Sequence, residues 1–185
     1  MKKAPWRKIV LFLLAGISGI SYCLFFNVLL QALKVRSGGA VDDALVAFFQ
    51  DKQIAFIALE VVAAPLVEEF LFRKLLYGKL SGVIPKIFAA LISAAVFGAL
   101  HFSIPGAIYG FAFGLLLSEL METTGTWIGA VIAHGLANAT SLMMNYAPEL
   151  NAFVSARKPY FIAFSVILLG LCVFVSERMR QKEKE

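Results

Sequence analysis

Charge is what this sequence has least of. Asp, Glu, Lys and Arg make up 16% of its 185 residues, against 60% hydrophobic residues and a mean hydropathy of +0.81. That leaves too little polar surface to cover a soluble globule of this length. The surplus of +5 is not a nucleic-acid footprint, because the Lys and Arg residues sit in short clusters between apolar runs, as loop charges do. Cysteine is scarce too. Cys23 and Cys172 lie far apart in apolar runs, with no CxxC spacing and no neighbouring His, so they read as small core residues. No soluble domain, linker, internal repeat or low-complexity segment is found. The chain reads as one membrane domain over 1–185, an all-α polytopic bundle in contact with the lipid bilayer.

What is present is a series of apolar segments, each near the roughly 20 residues that cross about 30 Å of hydrocarbon. They fall at about 8–33, 54–77, 84–103, 106–121, 126–146 and 159–176, which gives about six spans. Met1 to Lys8 followed by an apolar run has the look of a signal peptide, but the run continues to about Leu33 without a small-residue cleavage site. It reads as a retained first helix. Val41 to Phe49 fits a short amphipathic surface helix, and Pro85, Pro105, Pro148 and Pro159 mark helix ends. Gly106, Gly110 and Gly114 recur at every fourth position of the fourth segment, a face suited to close internal packing.

Orientation follows from the basic residues. With the N-terminus inside, the inner segments hold Lys2, Lys3, Arg7, Lys8, Arg73, Lys74, Lys79, Lys86, Arg178, Arg180, Lys182 and Lys184, which is 12 of 17. Both termini are expected to be cytoplasmic in a multi-pass protein of the cell membrane. Trp6, Tyr77 and Trp127 then fall at the inner interface and Tyr146 and Tyr160 at the outer. Glu119 and Glu122 read as interfacial, and Arg178 to Glu185 as a solvated charge run.

The polar residues inside these spans form a pattern. Glu68, Glu69 and Arg73 share the second segment, where one charged side chain at mid-span costs about 2.5–3.5 kcal/mol. The third segment ends in Phe97-Gly98-Ala99-Leu100-His101, and the fifth contains His134 with Asn138 four residues on, hence on one helix face. His101 and His134 are the only two histidines. Glu69 precedes Arg73 by four residues, the favoured orientation for an ion pair, and the two by themselves read as a structural buried pair. Glu68 points about 100° away and stays free to face the two imidazoles. Pro65 is expected to kink the helix and free a carbonyl one turn back, beside a polar cavity; Glu60 reads as a secondary polar contact.

A carboxylate, two imidazoles and an amide are the parts needed to hydrolyse an amide bond with water: a base, an oxyanion donor and an acid for the leaving amine. Glu68, His101 and His134 are also ligand types that zinc or another divalent metal accepts, held here by three separate helices, with a water at the open position. A glutamate among Phe and Leu that activates water unaided is the other chemistry such a set supports.

Glu68-Glu69-x-x-x-Arg73, Phe97-x-x-x-His101 and His134-x-x-x-Asn138, in that order on separate spans, resemble the three motifs of the CPBP family, the CAAX prenyl proteases and bacteriocin-processing enzymes. The resemblance runs from about Ala64 to Asn138, within a catalytic core of about 54–146. It implies an intramembrane endopeptidase with Glu68 as the base, His101 holding the water or metal, and His134 with Asn138 as the oxyanion site. Glu69, Arg73 and Phe97 support them. The implied substrate is a membrane-associated peptide or protein, prenylated or not. Two other classes use a similar inventory: a proton-coupled transporter, which predicts a second copy of the Glu-rich span, and a non-catalytic scaffold or immunity partner of the same fold, which tolerates a lost motif residue. Neither a second copy nor a loss is found.

Overall fold

The computed structural model describes residues 5–35, 44, 47–48 and 51–181. The expected surface helix at Val41 to Phe49 falls largely outside the described residues, as do Lys2, Lys3, Lys182 and Lys184. Every regular element among the described residues is helical. In chain order they are α1 (Pro5–Leu33), α2 (residues 53–80), α3 (Lys86–Ala99), α4 (Ile104–Thr124), α5 (Trp127–Tyr146), α6 (Pro148–Ser155) and α7 (Lys158–Gln181). Four of them, α1, α4, α5 and α7, are long and apolar enough to cross a membrane.

Four of the six prolines sit where a missing N–H is harmless. Pro85 is the N-cap residue of α3, while Pro105, Pro148 and Pro159 lie in the first turns of α4, α6 and α7. Ser103 caps α4 by accepting from the Gly106 amide at 3.1 Å, and Gly125 ends it with φ of +71°, a left-handed conformation that favours glycine.

Gly19 lies against Ala133, Cys23 against Ser141 and Val28 in one cluster with Met144, so α1 and α5 run parallel. The contact of α1 with α6 and α7 is antiparallel in sense: Gln31 bonds Asn151 and Ser155 near one end, and Ser18 meets Cys172 lower down. Along α3 and α4, Gly98 faces Phe111, Ala94 faces Gly114, and Lys86 bonds Glu122, which is again antiparallel. The core between them is built from Ala15, Tyr22, Phe97, Phe113, Leu117 and Ala133, with small residues where backbones approach.

Two segment bounds differ from expectation. Within segment 84–103 the helix α3 has 14 residues, about 21 Å at 1.5 Å per residue, and gives way to a turn at Leu100 and His101. Segment 106–121 is in turn longer than expected, at 21 residues. Arg73, as expected of the pair with Glu69, and Tyr77 are both buried inside the protein. Tyr77 donates to Glu122 at 2.9 Å, in a cluster where Glu122 also bonds Lys86 and stands 3.8 Å from Arg180. Arg180, expected in a solvated tail, therefore folds back onto α4. This cluster joins the ends of α2, α4 and α7 to the start of α3.

α2 is the irregular member. It is α-helical over Gln53–Ala58 and Ala64–Glu69 but widens to π-helical hydrogen bonding over Leu59–Ala63 and Phe70–Tyr77. Such widened turns are uncommon and are frequently found at functional sites. Here they flank the paired glutamates.

Candidate active site

Pro65 explains the first widened turn. It has no N–H to offer the carbonyls four or five residues back, which are those of Val61 and Glu60. Both are met from α5. Asn138 Nδ2 donates to the Glu60 carbonyl at 2.8 Å, and Val61's carbonyl lies against Gly135, where an added Cβ would stand 2.5 Å away. The contact expected from Glu60 is thus made by its backbone, and Gly135 is required by the approach of the two helices.

One turn further on, Glu69 and Arg73 are both wholly buried. Arg73 Nη1 donates to Glu69 Oε1 at 3.1 Å, and Arg73 Nε stands 3.0 Å from Oε2 at an angle poor for a hydrogen bond. The guanidinium carbon lies 4.4 Å from the centre of the Phe97 ring, a cation–π contact in a desolvated place. Gly114 makes room for it: a Cβ there would be 3.3 Å from Nη2 and 2.9 Å from Ala94.

The pair is not closed on itself. His134 Nδ1 is 2.8 Å from Glu69 Oε1. A carboxylate only accepts, so Nδ1 carries the proton and the ring presents Nε2 on its other side. Glu68 Oε2 is 3.8 Å from that Nε2, and the Glu68 side chain keeps 38% exposure. One imidazole therefore spans two glutamates of opposite character, Glu69 sealed in the core and Glu68 open.

Phe97 sits between the two histidines. Its ring meets His101 edge-on at 5.2 Å and His134 at 5.7 Å, and Phe113 closes on His134 from α4 at 5.4 Å. His101 lies in the turn just past α3, with Nδ1 3.1 Å from the Phe97 carbonyl and its ring against Gly110, where a Cβ would stand 2.8 Å from Nδ1. Because α3 gives way to this turn, His101 and His134 meet at one depth. Glu68 stands within electrostatic reach of both imidazoles.

The structure thus gathers Glu68, Glu69, Arg73, Phe97, His101 and His134 around one point, while Asn138 is turned so that one amide N–H is already committed to Glu60. Among the described residues, no three His, Cys, Asp or Glu side chains are grouped closely enough to hold a metal ion. Glu68, His101 and His134 do not, as placed, form a preformed three-ligand centre. Sequence reasoning gave Glu69 to Arg73 alone and missed its bond to His134. It also missed Phe113, and it read Gly110 as a close-packing position without foreseeing that the His101 ring packs there.

Residues 50–140 match the family described as Type II CAAX prenyl endopeptidase Rce1-like. That stretch, just under half of the chain, is similar to the family. A Bacillus subtilis (strain 168) protein named "Putative membrane peptidase YdiL" is 29% identical over 96 residues, 51% of this chain and 39% of that relative. The chain thus spans less than half the length of the curated relative it matches. No solved structure matches it. The Rce1-like stretch takes in α2 to α4 and most of α5, and hence every residue of the gathered site; α1, α6 and α7 lie outside it.

Proposed function

We propose that this protein is an intramembrane endopeptidase of the cell membrane, which hydrolyses a peptide bond of a membrane-associated peptide or protein with water activated by Glu68. The observation that carries the reading is His134 held between a buried Glu69 and an exposed Glu68. Glu69 fixes the imidazole and its proton, so Nε2 faces the reacting centre, and Glu68 is the carboxylate left free to take a proton from water. The hydroxyl attacks the peptide carbonyl. A doubly protonated His134, with Nδ1–H on Glu69 and Nε2–H facing the site, and the remaining amide N–H of Asn138 donate to the tetrahedral oxyanion, and His101 holds the water. Glu68 then gives the proton to the leaving amine, so the proton taken is the proton returned.

No step in this sequence uses a metal. Metal content of active protein, with activity after chelation and re-addition, tests that directly. Full activity in a metal-free preparation supports water activated by Glu68 alone, whereas stoichiometric zinc lost together with activity in His134→Ala replaces it with a metal mechanism.

The same reading has six spans and both termini cytoplasmic. α2 has 28 residues by its bounds and α3 completes its crossing through the turn that carries His101. A reporter fused after Glu185 is expected on the cytoplasmic side, and export of that fusion overturns the orientation.

The central experiment uses quenched-fluorescent peptides, with and without a prenyl group, presented to the protein in detergent micelles. Wild-type protein is expected to cleave. Glu68→Gln keeps size and hydrogen bonding but removes the base, so it should lower the rate by about 10²-fold or more with an unchanged thermal transition. Full activity in Glu68→Gln would sink the assignment.

A further inference from the structure

We propose that Tyr22 of α1, outside the stretch that matches the family, is a positioning residue for both histidines. It rests on the site proposed above but not on the identity of any substrate. The Tyr22 hydroxyl donates to the Tyr109 carbonyl at 2.6 Å, an α4 carbonyl that directly precedes Gly110. Gly110 is the floor on which the His101 ring lies, since no side chain fits between them. The hydrogen bond therefore fixes the height of that floor relative to α1. The Cys23 thiol bonds the Tyr109 phenol, a second fastening of α1 to the same residue.

The Tyr22 ring does something different. It stacks on Phe113 with centroids 4.7 Å apart and planes 18° apart, and Phe113 in turn meets His134 edge-on at 85°. Phe113 thus has Tyr22 on one side and the imidazole on the other. The hydroxyl holds the α4 backbone at Tyr109 and Phe113 and the ring stacks on Phe113, so removing the hydroxyl acts chiefly at His101 and removing the ring acts at both imidazoles. Tyr22 touches neither the proposed reacting atoms nor Glu68. Its effect is on where the imidazoles stand.

The chain's only two histidines make the test direct, because each contributes one set of imidazole signals in a labelled sample. In micelles, Tyr22→Phe should move the His101 ring resonances more than those of His134, while Tyr22→Leu should move both strongly. With a cleavable peptide, Tyr22→Phe should lower kcat about 5-fold at unchanged KM, the factor expected for one lost hydrogen bond. Tyr160→Phe, at an exposed tyrosine of α7, is the control and should change nothing. Folded Tyr22→Phe protein with both imidazole signals unmoved overturns the proposal, even if its thermal transition falls. The imidazole readout needs no activity, so a protein that cleaves no peptide at all would refute the protease reading and still leave this one decided.

Discussion

The seam between α2 and α5 and the seam between α1 and α7 are both helix contacts within one apolar bundle, yet they are built on opposite terms. At α2–α5, a buried carboxylate serves Arg73 and His134 together, and an amide side chain meets a carbonyl that Pro65 leaves without its donor. At α1–α7, Ser18 and Ser21 bond back to carbonyls of their own helix, and Ser165, Cys172 and Ser176 are buried small residues. Small residues allow close approach and demand little of their neighbours. Charged ones must be met by partners at fixed positions, so the α2–α5 seam has one arrangement that satisfies it. Rigidity inside lipid is here a product of polar groups that water cannot rescue.

The largest effect that would sharpen this contrast is at Glu69. Glu69→Gln leaves Arg73 as an unpaired buried charge and should lower stability by about 3–5 kcal/mol, read as a large drop in the thermal transition in detergent. Replacing both partners by apolar residues, Glu69→Leu with Arg73→Met, should recover much of that loss. It should not recover peptide cleavage, because His134 Nδ1 still lacks its acceptor. Recovery of activity in the double variant would mean that Glu69 serves only Arg73.

Next comes the helix approach. A Cβ at residue 135 would lie 2.5 Å from the Val61 carbonyl oxygen, which is backbone and cannot move aside. Gly135→Ala should therefore cost about 1–3 kcal/mol and lower cleavage by displacing His134 beside it. A Gly135→Ala protein with unchanged melting and activity would show that the seam yields as freely as the other one.

The smallest effect is expected in α7. Gly170 has nothing within 4 Å of an added Cβ and lies mid-helix, so Gly170→Ala should be neutral or stabilising by up to about 1 kcal/mol, with activity unchanged. A loss of stability there as large as at Gly135 would remove the distinction between the two seams. Thermal unfolding of the two alanine variants side by side is the measurement.

The sequence by itself determined the class, most of the helices and most of the side chains that the fold gathers at the candidate site. Sparse charge and long apolar runs permit little but a membrane bundle, and carboxylates and imidazoles inside such runs carry a cost that only pairing or function offsets. The Glu69–Arg73 pair was legible because i and i+4 are neighbours on any helix. Only the tertiary structure decided that Glu69 also holds His134, that α3 gives way to a turn so His101 reaches the same depth, and that Asn138 and Gly135 meet the carbonyls near Pro65. It alone brought Tyr22 and Phe113 to the histidines. The physical reason is that a carboxylate has two oxygens and several lone pairs, and a ring two faces. Local spacing assigns the first partner of each, while the second comes from a helix whose distance along the chain says nothing about its distance in space.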